Sequence, residues 1–222
     1  MVLSEFKNLM LPWRTAAFYR GLHPRSLGKN IVYVVVLGLS IFLGQLLLYG
    51  VFGVNLSVGG GGLTYSIGTV YSMDYSAWIA LGAYLDQVIR PLVLGLVISL
   101  FGMQLAGRVV PLEEAVTIAC YAYTPALLLG VFTAFFGMGT IIWIAGMMYS
   151  TLLLFIGARA SFDRKQSGLY VIFVGFATFM IVGAVVGMIF DILTQSLYGE
   201  VEPVSAYSAL SGGKGTMIWG IR

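Results

Sequence analysis

Few residues in this chain have the type and spacing that chemistry requires. Adjacent carboxylates at Glu113 and Glu114 open an apolar stretch carrying Cys120, Tyr121, Tyr123, Thr124 and Pro125. Two acids at the mouth of an apolar run suit a helix start, where the macrodipole favours negative charge. Asp86 and Arg90 stand four residues apart, a spacing that lets them pair on one helix face. Asp191 lies near the end of the last apolar run and can reach water there. Ionisable groups inside a membrane segment are costly and mark function by default, so these are the candidates. None of them forms a paired-aspartate protease site, an HExxH zinc site or a Ser–His dyad. His23 is the one histidine and Cys120 the one cysteine, so no disulfide and no cysteine-based metal site can be built within the chain. An enzyme is disfavoured, and no catalytic, metal-binding or cofactor-binding residue and no cofactor is expected.

The elements that must position these groups follow from composition. The chain has 222 residues, 59% hydrophobic and 9% charged. Soluble domains carry about a quarter charged residues, so a polytopic membrane protein is the class that fits. A net charge of +3 is too small and too dispersed to argue for nucleic acid. An all-α, five-span transmembrane bundle is expected.

Residues 1–29 read as an amphipathic cytoplasmic or interfacial arm. Leu3, Phe6, Leu9, Met10, Trp13, Ala17 and Phe18 form an apolar face opposite Lys7, Arg14, Arg20, Arg25 and Lys29, the pattern of a helix lying in the headgroup layer. The membrane domain is expected over 30–194, with spans at about 30–54, 91–106, 114–136, 140–158 and 168–193. Residues 55–90 are expected to form an external loop. The run Gly59 to Gly62 within it reads as flexible, because a phosphate-binding loop needs a following helix and usually a lysine. Residues 75–88 read as a short interfacial helix ending before Pro91, with one long kinked helix from Tyr75 as the competing arrangement. Pro125, mid-span, removes a backbone donor and predicts a kink that neighbouring Tyr and Thr hydroxyls can relieve. Gly183 and Gly187 make a GxxxG that permits close approach between helices. Residues 195–222 read as an external polar tail.

Five spans put nine basic residues on one side: Lys7, Arg14, Arg20, Arg25, Lys29, Arg108, Arg159, Arg164 and Lys165. Three fall on the other: Arg90, Lys214 and Arg222. The positive-inside rule then predicts a cytoplasmic N-terminus and an external C-terminus.

Glu113-Glu114-Ala115-Val116, followed by Tyr121-Ala122-Tyr123-Thr124-Pro125, resembles the YIP family, the Ypt-interacting proteins. The family's Gly-Tyr-x-x-x-Pro signature keeps its Tyr121-to-Pro125 spacing here, with Cys120 where glycine is usual. Leu11-Pro12-Trp13-Arg14-Thr15 is similar to the proline-led helix before the first span of prokaryotic-type members. Ser161 to Tyr170 is similar to the short polar loop between their last two spans. The resemblance spans about residues 9–195 and implies a five-helix domain with a cytoplasmic N-terminus. Eukaryotic members are associated with Rab-type GTPases and membrane trafficking and carry a long cytoplasmic region before their spans; no such region is expected before the first span here, so GTPase binding is not expected.

The expected function is a non-enzymatic accessory or scaffold subunit of a membrane assembly, or a membrane-organising protein, in a prokaryotic cell membrane. Its expected partners are the bilayer and other membrane subunits or a second copy. Glu113, Glu114, Tyr121, Pro125, Asp86, Arg90, Gly183 and Gly187 are the candidate functional and packing residues. The alternative is a small-solute or ion transporter using the kinked third helix, because broken helices near the midplane mark transport sites.

Overall fold

Long runs of Leu, Val, Ile, Phe and Ala have no water to bond with in lipid, so each must satisfy its backbone internally as a helix. The computed structural model describes residues 16, 18–52, 54–59, 62–67, 69–135, 138–162, 167–198 and 204–205. Its helices are α1 (Leu27–Leu47, continued by a π-helical turn over Leu48–Phe52), α2 (Met73–Leu100) and the short α3 (Gly102–Ala106). They are followed by α4 (Leu112–Leu129, ending in a 3-10 turn over Gly130–Ala134), α5 (Met138–Ser161) and α6 (Ser167–Tyr198). Among the described residues five helical segments, all but α3, are long and apolar enough to cross a membrane. The chain is an integral membrane protein by this measure.

The second span takes the competing arrangement, one long helix, rather than the expected break before Pro91. It is a single helix from Met73, capped by Ser72, whose hydroxyl accepts the Tyr75 N–H at 3.3 Å. The expected boundary at Pro91 is not a boundary, because the helix runs through it to Leu100. A proline forfeits one backbone bond, whereas ending a helix within lipid strands several groups at once, so continuation is the cheaper outcome. The consequence is large: Asp86 and Arg90 move from the expected external loop into a helix long and apolar enough to cross a membrane. Gly107, at φ 75°, then turns the chain out of α3 towards α4.

The stretch expected to be a flexible external loop contains a hairpin. Strand β1 (Val54–Gly59) pairs antiparallel with β2 (Gly62–Ile67), from Val54 opposite Ile67 to Gly59 opposite Gly62. Val54, Leu56 and Val58 alternate with polar residues, as do Leu63, Tyr65 and Ile67, which is the strand period. Strand β3 (Thr69–Val70) pairs with β4 (Val204–Ser205), so part of the expected polar tail returns to this segment. The rest of the tail and residues 1–15 of the arm lie outside the described residues. The arm's Ala16 and Phe18–Arg20 are helical, and Tyr19 is buried against Gly157 of α5.

Helix α4 is the centre, touching α1, α2 and α5, while α6 packs on α2 and α5. Within α4, 78% of the spanning window is buried, against 22% for the α1 and α6 windows. Close approach is built on glycine. A Cβ at Gly95 of α2 would lie 2.5 Å from the Val116 Cα of α4, so only glycine fits.

Candidate functional site

In α2 the i, i+4 spacing brings Asp86 and Arg90 together as the sequence predicts. Arg90 Nη2 lies 2.6 Å from Asp86 Oδ2, and Nε donates to Oδ1 at 2.9 Å. The side chains are only 8% and 17% exposed. Arg90 is ten residues from the end of α2, which places it ~15 Å along the helix from that end. A charge at that depth is held by its partner and by the groups packed on it.

Helix α6 supplies those groups. The guanidinium carbon sits 3.5 Å from the centroid of the Phe179 ring, a close cation–π stack. Four residues on, on the same helix face, Gly183 leaves room for the guanidinium: a Cβ there would meet Arg90 Nη2 at 2.7 Å. Gln87 donates to Asp86 Oδ2 at 3.3 Å. Two polar atoms in the cluster have no hydrogen-bond partner among the described residues, Arg90 Nη1 and Gln87 Oε1. The sequence-predicted GxxxG is therefore split. Gly183 seats an arginine rather than another helix, whereas a Cβ at Gly187 would meet nothing within 4 Å.

Phe179 is also one wall of a cavity of about 330 Å³ between α4, α5 and α6, together with Tyr123, Trp143, Ser150, Gly175 and Phe176. Trp143 Nε1 is buried without a partner. The sequence reading missed Phe179, Trp143 and the cavity. The available signal was the four-residue spacing of Phe179 and Gly183, which places an aromatic ring and a gap on one face of α6.

The expected kink residue, Pro125, lies within helical α4, and the polar groups around it bind neighbours. The Ala126 N–H donates to Ser150 of α5 at 3.2 Å, and α5 comes this close because Gly146 faces Ala126 and the Pro125 carbonyl. The Thr124 hydroxyl bonds Tyr33 of α1 at 2.8 Å and reaches the Cys120 carbonyl at 3.2 Å. Tyr121 is fully packed, with Phe18 and Tyr33 at ring distances of 5.3 Å and the Arg25 guanidinium 5.1 Å from its ring.

Glu113 and Glu114 part company at the head of α4. Glu114 is bound by both terminal nitrogens of Arg108, which also reaches the Ser161 carbonyl at 3.4 Å. The Glu113 side chain is exposed, and its carbonyl accepts from Thr117. Thr117 in turn accepts from Asn30 at 2.9 Å and from the Arg25 N–H at 3.1 Å. Polar groups here tie the arm, α1 and α4 together. Among the described residues no three His, Cys, Asp or Glu side chains converge to hold a metal ion. No protein-family model, curated protein or solved structure matches the chain.

Proposed function

We propose that this chain is a non-catalytic integral membrane protein of YIP-like type, working as an accessory or scaffolding component with its N-terminal arm in the cytoplasm. The observation behind this reading is the sealing of α4. Transport through a broken central helix needs polar backbone or side chains open to a path. Around Pro125 those groups instead bond Tyr33 of α1, Ser150 of α5 and the Cys120 carbonyl of α4 itself. Glu114 is likewise held by Arg108. A helix saturated in this way organises its neighbours, and α1 and α6 keep long apolar faces for lipid or for other subunits. No GTPase partner is proposed.

The test is purification from native membrane in a gentle detergent, with mass analysis of what accompanies the chain. A stoichiometric larger complex is expected. A lone monomer or homodimer sinks the accessory role and favours the second reading, a small-solute or ion transporter. That reading draws on Asp86 and Arg90 at depth beside a cavity, rather than on Glu113, Glu114 and the third span.

A further inference from the structure

At the arm end of the bundle a second cavity, of about 250 Å³, opens between the arm, the head of α4 and the tail of α5. Its walls include Tyr19, Arg20, Arg108, Glu114, Thr117 and Ser161. The charges in it do not balance. Arg108 and Glu114 neutralise each other. Arg20 is exposed and joins no described residue by a hydrogen bond or ion pair. Arg25, Lys29 and Arg159 stand at the same end, where Glu113 is the other described carboxylate. The cavity is thus an electropositive recess with hydrogen-bonding walls. Burial raises the Tyr19 phenol well above its ordinary value, so this hydroxyl, unpartnered and only 2% exposed, stays protonated and able to donate.

We infer that this recess binds the headgroup of an anionic phospholipid, its phosphate at Arg20 and its headgroup hydroxyls towards Glu114 and the Ser161 carbonyl. Position decides between lipid and free phosphate. The recess lies where α4 begins and α5 ends, the level at which a surrounding bilayer presents headgroups at high local concentration. Basic pockets between spanning helices suit such headgroups. Glu114 adds selectivity, because a carboxylate opposes a bare polyanion yet accepts hydrogen bonds from a glycerol headgroup. The site stands apart from the accessory reading, since an accessory subunit and a transporter can each hold a structural lipid.

The test titrates phosphatidylglycerol, phosphatidylcholine or inorganic phosphate into the full-length protein in neutral detergent. Thermal unfolding and native mass spectrometry report binding. Phosphatidylglycerol should raise the unfolding temperature and be retained as one lipid per chain. Arg20→Gln should weaken this about fivefold, the effect of one basic residue at an anionic headgroup. Arg159→Gln removes the same charge outside the recess and should change it less than twofold. Equal losses in the two variants would reduce the effect to general surface charge and overturn the site. Equal stabilisation by phosphatidylcholine overturns the anionic selectivity, and equal stabilisation by phosphate overturns the lipid assignment.

Discussion

Arg90 concentrates the physical question at the scale of single residues. A guanidinium within an apolar helix survives because three arrangements coincide: Asp86 one turn away, the Phe179 face beneath it and the gap at Gly183. Desolvating two charges costs about what their attraction returns, so the pair adds little net stability as a whole. Removing one partner is different, because the other then stands charged in a low dielectric. Asp86→Asn and Arg90→Gln should each lose about 3–5 kcal/mol. The double apolar replacement Asp86→Leu with Arg90→Met should recover most of that loss. Denaturant unfolding in mixed micelles measures all three, and the mutant cycle isolates the coupling. If the double variant loses the sum of the single losses, Asp86 and Arg90 act independently and the buried pair has no energetic meaning.

At the scale of elements, glycine decides which helices meet. The nearest atom to a Cβ at Gly95 is backbone, the Val116 Cα, which cannot swing aside. Gly95→Ala should therefore cost about 1–3 kcal/mol by overpacking. Gly187 faces open space, so Gly187→Ala should stay within about 0.5 kcal/mol of wild type. Thermal unfolding of the two variants in one detergent separates them, and equal losses would refute the helix pairing described for α2 and α4. Four spans were legible because an apolar run of ~20 residues has one stable form in lipid. The second was legible only as two competing arrangements: a local steric rule favours a break before Pro91, whereas the cost of breaking a helix in a membrane favours the long helix from Tyr75, which is the form α2 takes. The hairpin at Val54–Ile67 was hidden because the glycine run outweighed the alternation on either side of it. Asp86 and Arg90 were legible as a pair, since their spacing lies within one helix. Gly183 and Phe179 reach that pair from α6, and local spacing does not encode which helices face each other.

For the whole molecule, the strand pairing of β3 with β4 fixes one relation that composition only implied. The segment between α1 and α2 and the described residues after α6, Val204–Ser205, lie at the same end. The arm, the Arg108–Glu114 pair and the end of α5 lie at the other, joined by the contact of Tyr19 with Gly157 and of Arg108 with Ser161. With Arg90 inside a helix long enough to span, the basic count expected from the sequence becomes nine against two, and the positive-inside rule then predicts a cytoplasmic arm. Cys120 is fully buried, so the native thiol is silent to a membrane-impermeant maleimide in the folded protein. Single cysteines at exposed positions therefore report sidedness directly, one at Lys29 for the arm end and one at Asp74 for the hairpin end. In intact spheroplasts Asp74→Cys should be labelled and Lys29→Cys should not, with the pattern reversed in inverted vesicles. The opposite pattern would place the basic end outside, against the charge rule, and would move the recess at Arg20 to the opposite leaflet, where its headgroup ligand would have to be supplied.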